Sequence, residues 1–128
     1  MNRLCVLIVV DTAGALAEGT LLGNCYMVDT NGYLGSWQEA TDQLHTVCED
    51  GQEVVWSAAP VAATGQVSIT GFSGPMVAQS VCVPRDTGDD GAWAGRVEAH
   101  GAFASYAYSV ALSLHGTTLS ATCFLKVV

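Results

Sequence analysis

The sequence predicts an all-β chain, a two-sheet, jelly-roll-like β-sandwich of about eight or nine short antiparallel strands. The strongest source is Ala104 to Lys126. There Tyr106, Tyr108, Val110, Leu112 and Leu114 alternate with small residues, and after His115-Gly116 a second run alternates Leu119, Ala121, Cys123 and Leu125 with Thr118, Ser120, Thr122 and Phe124. Two runs of period two joined by a tight glycine turn make a hairpin with one apolar face. A second observation is the recurrence of short β-compatible runs between turn signals, at the spacing of sandwiches and barrels. No segment carries the apolar period of a long helix.

Taken in order, Asn2 to Asp11 reads as a buried strand rather than a signal segment, its short apolar run being ended by Asp11. Thr12 to Gly23 is small and glycine-containing, a loop with room for a short helical turn. Asn24 to Asp29 is the next strand, and Asn31-Gly32 supplies the positive φ angles of a type I′ turn, with Tyr33 and Leu34 starting the return. Leu44 to Cys48 resumes a β-like run, and Glu49-Asp50-Gly51 is a turn. Gln52 to Ala59 is a strand stopped by Pro60, which has no N–H for a central ladder.

Gln66 to Gly71 is a further strand, followed by a turn-rich corner from Phe72 to Pro75. Met76 to Val83 reads as a short strand ended by Pro84, and Arg85 to Gly91 as an exposed loop. Ala92 to His100 follows as a strand carrying Arg96, Glu98 and His100 on one face. Strands of unequal length and corners at Pro60, Pro75 and Pro84 favour a sandwich over a closed barrel, each corner marking a passage between sheets.

A chain of 128 residues makes one domain, 1–128, able to bury roughly two thirds of its unfolded surface. The longest strongly apolar run, Leu4 to Val10, is too short to cross a bilayer, so no membrane partner is expected. Arg3, that run and Ala15-Leu16-Ala17 imitate a signal peptide, but Asp11 interrupts the imitation. A formal charge of −8 with only Arg3, Arg85, Arg96 and Lys126 as cations excludes a phosphate-backbone interface, so no nucleic acid is expected. Five cysteines, Cys5, Cys25, Cys48, Cys82 and Cys123, form no CxxC and leave one over if paired, as reduced core thiols of a cytoplasmic protein would.

No catalytic constellation is legible: there is no GxSxG, no cysteine beside a sequence-local base, and His45, His100 and His115 lie on separate segments. No metal or cofactor is expected. Glu98, His100 and Arg96 on one strand face could be an acid–base pair, although a solvated charge ladder is the simpler account. Asp86, Asp89, Asp90 and Gly91 have the composition of a calcium loop without EF-hand spacing. The tryptophans are more informative. Trp56 lies in an apolar strand and reads as core. Trp37, with Gln38 and Asp42, and Trp93, with Asp89 and Asp90, combine an aromatic platform with acceptor groups in loops, a pattern suited to a glycan or another small ligand.

Leu4-Cys5-Val6-Leu7-Ile8-Val9-Val10-Asp11-Thr12, Asn24-Cys25-Tyr26-Met27-Val28-Asp29, Asp50-Gly51-Gln52 with Val55-Trp56, Ile69-Thr70-Gly71-Phe72, Trp93 and Tyr106-Ala107-Tyr108-Ser109 together resemble the AidA/PixA inclusion-body protein family. The resemblance covers nearly the whole chain and rests on order and spacing. It implies a bacterial cytoplasmic β-sandwich, of a family linked to quorum-regulated host association and to crystalline inclusions, and supplies no catalytic residue. The expected function is therefore that of a non-enzymatic, self-associating protein of inclusion-body type, most simply a two-fold dimer. The alternative is a lectin-like or small-molecule-binding module, or a cofactor-free catalyst.

Overall fold

The structure, a computed structural model, describes residues 3–30 and 43–128. Two sheets pack as a sandwich. The first has five strands, β1 (Leu4–Val10), β2 (Cys25–Asp29), β4 (Glu53–Pro60), β6 (Arg85–Asp86) and β7 (Trp93–Arg96), in the order β2-β1-β4-β7-β6. The second has four, β3 (His45–Cys48), β5 (Val67–Ser73), β8 (Ser105–Leu114) and β9 (Thr117–Val127), in the order β3-β9-β8-β5.

The β8–β9 hairpin is as the alternation predicts. Tyr106, Tyr108, Val110, Leu112 and Leu114 are buried, and His115 and Gly116 take φ of 50° and 89°, the positive pair that a type I′ turn requires. The two ends of the register, Ser105 opposite Lys126 and Leu114 opposite Thr117, leave no slip along the ladder. Register matters here because a slip of one residue would turn the apolar side chains out to solvent.

The sandwich expectation holds, but the pairing is mixed rather than wholly antiparallel: β1 runs parallel to β4, and β3 parallel to β9. After β2 the chain passes to the second sheet as β3 and returns to the first as β4. A return by way of the other sheet is long enough to lay a strand parallel to its neighbour, which a tight turn cannot do. Pro60 closes β4 opposite Val10, and the chain then leaves for β5 in the second sheet; Pro84 precedes β6 back in the first. Both prolines thus stand at passages between the sheets.

Met76 to Val83, read as a strand, is instead the short helix α2 (Pro75–Ala78) and a turn. Pro75 at its start has the preset φ of a first helical position, and the preceding Gly74, at φ 99°, reverses the chain into it. The possible helical turn after β1 is real: α1 (Thr12–Glu18) is capped by Asp11, whose side chain accepts from the Gly14 N–H, and ends at Gly19 in the left-handed region. The predicted strand from Ala92 to His100 contracts to β7, so Arg96 is in the sheet while Glu98 and His100 lie beyond it. The predicted turn at Asn31-Gly32 lies outside the described residues.

Between the sheets the core is apolar with a few satisfied polar links. Trp56 Nε1–H donates to the Tyr108 hydroxyl at 3.1 Å, and Thr46 Oγ1–H to Asp29 Oδ2 at 2.8 Å, each bond joining one sheet to the other. The Cys123 thiol lies 3.1 Å from Met27 Sδ. None of the five cysteines is in a disulfide, and Cys25, Cys48, Cys82 and Cys123 are buried. Cys5, read as core, is exposed, because β1 turns Leu4, Val6, Ile8 and Val10 inward and Cys5 outward. Burial pushes the Cys48 and Cys82 thiols up to about 12, which leaves them protonated and unreactive at neutral pH.

Candidate functional site

The loop site expected from the sequence divides on the structure. Trp37, Gln38 and Asp42 lie outside the described residues. Asp89 and Asp90 are exposed in the β6–β7 hairpin, Asp90 with φ 49°. Trp93 is not in that loop: it opens β7, half-buried against the core, with its ring 5.7 Å from that of Phe72. The acid-rich loop supplies its own turn. Asp86 Oδ1 accepts from the Gly88 N–H at 2.8 Å, and the Thr87 hydroxyl donates to the Ala92 carbonyl at 2.9 Å. Among the described residues no group of three or more His, Cys, Asp or Glu side chains is arranged to hold a metal ion.

A surface that the sequence did not reveal is the outer face of the five-stranded sheet. Its rows follow from the register: Leu7 stands opposite Val28, Val9 opposite Tyr26, and Cys5 opposite Val55. Leu7 is 37% exposed, Tyr26 48% and Val28 37%. No charged side chain projects from this face of β1 or β2. A continuous apolar run such as Leu4 to Val10 ordinarily means a strand covered on both faces, and that reading hid the exposed half. The signal for it was β2, where Tyr26 and Val28 alternate with the buried Cys25 and Met27.

Across β4 the same face becomes charged. A cleft of about 420 Å³ opens there, with Glu53, Ser80, Arg85, Arg96 and Glu98 among its lining. Its walls come from segments far apart in sequence. β7 crosses so close to the segment after α2 that a Cβ on Gly95 would sit 2.7 Å from Cys82 Sγ and 3.2 Å from Pro84 Cα. The Glu98 N–H donates to the Val81 carbonyl at 2.6 Å, tying the two walls. Glu53 is ion-paired with Arg3, Nε to Oε1 at 2.6 Å, although Arg96 is its direct cross-strand partner. Arg96 turns instead to the Gly51 carbonyl, donating from Nη1 at 2.8 Å.

That carbonyl is held by the turn that carries Asp50. Its two carboxylate oxygens accept from the Ala99 N–H at 2.8 Å and the Gly101 N–H at 3.1 Å, clamping a turn in which His100 and Gly101 both have positive φ. These two backbone hydrogen bonds, with help from His100, hold the Asp50 carboxyl below the usual carboxylate range. A carboxyl depressed in the folded state contributes stability above its unfolded pKa, and that contribution is lost as pH falls through the folded one. Wild-type stability should therefore drop more steeply on acidification below about pH 4 than that of Asp50→Asn. Denaturant melts of both proteins across pH 2 to 7 check this; parallel curves would refute it.

The histidines have separate structural employment. His45 stacks on Phe124, its partner across the β3–β9 ladder, with ring centroids 4.4 Å apart, and burial lowers its pKa. His115 Nε2, at the β8–β9 turn, accepts from the Gln66 N–H at 3.2 Å. The expected Arg96, Glu98 and His100 ladder is broken up, with Arg96 and Glu98 at the cleft and His100 in the turn that Asp50 holds.

No curated protein matches the chain by sequence. Among solved structures, the crystal structure of the inclusion body protein PixA from Burkholderia cenocepacia superposes with a TM-score of 0.75 over 99% of this chain and 96% of that one, at 11% identity. At that identity the likeness is one of fold, and it agrees with the resemblance read from the sequence. A family profile matches residues 2–120, and by it this chain belongs to the family described as a domain of unknown function, DUF8788.

Proposed function

We propose that the chain is a non-enzymatic, self-associating protein of the bacterial inclusion-body type, accumulated in the cytoplasm and serving host interaction under quorum-linked expression. The observation that carries this reading is the uncharged outer face of β1 and β2, where Leu7, Tyr26 and Val28 are exposed side by side. An apolar area on a sheet face is the part of a surface that gains most by being covered. The fold shared with PixA from Burkholderia cenocepacia supports the inclusion-body part of the reading.

Charge points to the same face. At a formal −8, two copies repel wherever acids meet acids. The outer face of this sheet has no acid on β1 or β2, and Arg3, Arg85 and Arg96 all lie towards its β4–β7–β6 side. A two-fold dimer formed here would bury the apolar rows against each other, needing about 800 Å² from each partner for a stable contact.

Analytical ultracentrifugation is expected to show a dimer at tens of micromolar. Leu7→Lys, which by symmetry places an uncompensated charge twice in the contact, should weaken it by about a hundredfold or more while the circular dichroism stays β-like. Cys5 gives an independent readout from the same face. Its thiol should react quickly with a thiol reagent in dilute protein and slowly in concentrated protein, and that protection should vanish in Leu7→Lys. A wild-type chain that stays monomeric at high micromolar concentration, or a Leu7→Lys variant that dimerises as well as wild type, defeats the proposal.

A further inference from the structure

The cleft on the charged side of the sheet is a different kind of surface, and what it could hold follows from which of its charges are already satisfied. Glu53 is neutralised by Arg3. Arg96 is aimed by one N–H to the Gly51 carbonyl, and a guanidinium has several further donors in a fixed plane. Arg85 lines the same space, and among the described residues neither it nor Arg96 has a carboxylate within ion-pair distance. Glu98, two residues beyond Arg96, has no cation within that distance among the described residues either. The cleft therefore presents two guanidiniums and one carboxylate in a protein otherwise poor in cations.

We infer that this cleft binds a small zwitterion of amino-acid type, its carboxylate received by Arg85 and Arg96 and its ammonium by Glu98. Paired guanidiniums suit a carboxylate, whose two oxygens match their N–H forks. Glu98 discriminates against a simple anion, since it repels a phosphate or sulfate but pairs with an ammonium. About 420 Å³ accommodates a molecule of that size and is too small for a folded partner. The wall is also held in a costly conformation: Ser80 sits at φ 57°, a left-handed setting rare for a residue with a Cβ, next to the backbone bond from Glu98 to Val81. The inference does not depend on self-association.

Titration calorimetry and amide NMR shifts test it, with each standard L-amino acid as probe and with acetate and inorganic phosphate as anion-only probes. At least one amino acid should bind with a submillimolar Kd, shifting the amides of residues 80–85 and 94–98. Acetate and phosphate should bind at least about tenfold more weakly. Arg85→Gln and Arg96→Gln should each weaken the amino acid about tenfold or more, while Lys126→Gln, with the same charge change on β9, should not. Glu98→Gln should weaken the amino acid by a similar factor and leave acetate unchanged or tighter. No shift with any amino acid at about 10 mM, phosphate binding tighter than every amino acid, or equal losses in Arg85→Gln and Lys126→Gln would each overturn the assignment.

Discussion

Trp56→Ala is expected to cost about 4 kcal/mol or more of stability, enough to leave the domain largely unfolded under mild denaturant. Trp56 is fully buried in the sandwich and lies at the crossing of both sheets. Its ring is 4.9 Å from Phe72 and 5.9 Å from Tyr108, tilted and edge-on in the arrangements that aromatic quadrupoles favour. Truncation removes the largest side chain of the core, opens a cavity and strands the Tyr108 hydroxyl without its donor. Urea melts followed by circular dichroism measure the loss. Trp56→Phe separates its parts: keeping most of the volume but not the N–H should cost less than half as much. If the alanine variant melts within about 1 kcal/mol of wild type, Trp56 is not the anchor that joins the sheets.

Gly74→Ala is expected to be strongly destabilising, at about 3 kcal/mol or more. At φ 99° and ψ −175° the backbone occupies a region open in practice to glycine alone. Space is short as well: the added Cβ would stand 3.1 Å from the Tyr108 Cα and 3.2 Å from the Ala107 carbonyl, both backbone atoms of the long strand β8 that cannot step aside. The Gly74 carbonyl also accepts from the Val77 and Ala78 N–H groups, so displacing it loosens α2. Gly116→Ala gives the comparison. It has a similar φ of 89° but open space around it, so it should pay only the conformational penalty and melt above Gly74→Ala. The reverse order in thermal melts would mean that close packing at Gly74 contributes nothing.

Much of this fold was legible because β-structure writes its faces locally. The alternation of Tyr106 to Leu114 needs no knowledge of partners to say which side is buried, and His115-Gly116 marks the reversal by its own preference for positive φ. Asp11 was read only as the end of the first strand, although an Asp directly before a run of small residues is a helix-start signal. Met76 to Val83 misled because Met, Val, Val and Cys suit a strand as well as a helix in so short a run, and Pro75 after a glycine was the better clue.

The candidate site was less legible. Trp93 looked like a loop platform because Asp89, Asp90 and Gly91 precede it, yet the strand begins at the indole and Phe72 lies against it. Glu98 was grouped with His100 by alternation, whereas the strand ends at Arg96 and the cleft takes Glu98 alone with Arg85 and Ser80. Spacing along the chain cannot report such a grouping, since these residues meet only through the close crossing at Gly95 and the bond from Glu98 to Val81.

What the sequence determined by itself is the all-β class, the two-sheet layering, the terminal hairpin and the inward faces of its two strands and of β5, since each follows from local periodicity and turn chemistry. Only the tertiary structure decided that β1 lies between an antiparallel and a parallel neighbour, that one apolar side of it, with Leu7 and Cys5, is left at the surface, and that two arginines and a glutamate face one cleft. The physical reason is that side-chain alternation follows from the geometry of a single strand, whereas the choice of neighbours is a sum of packing and hydrogen-bond terms over segments distant in the chain.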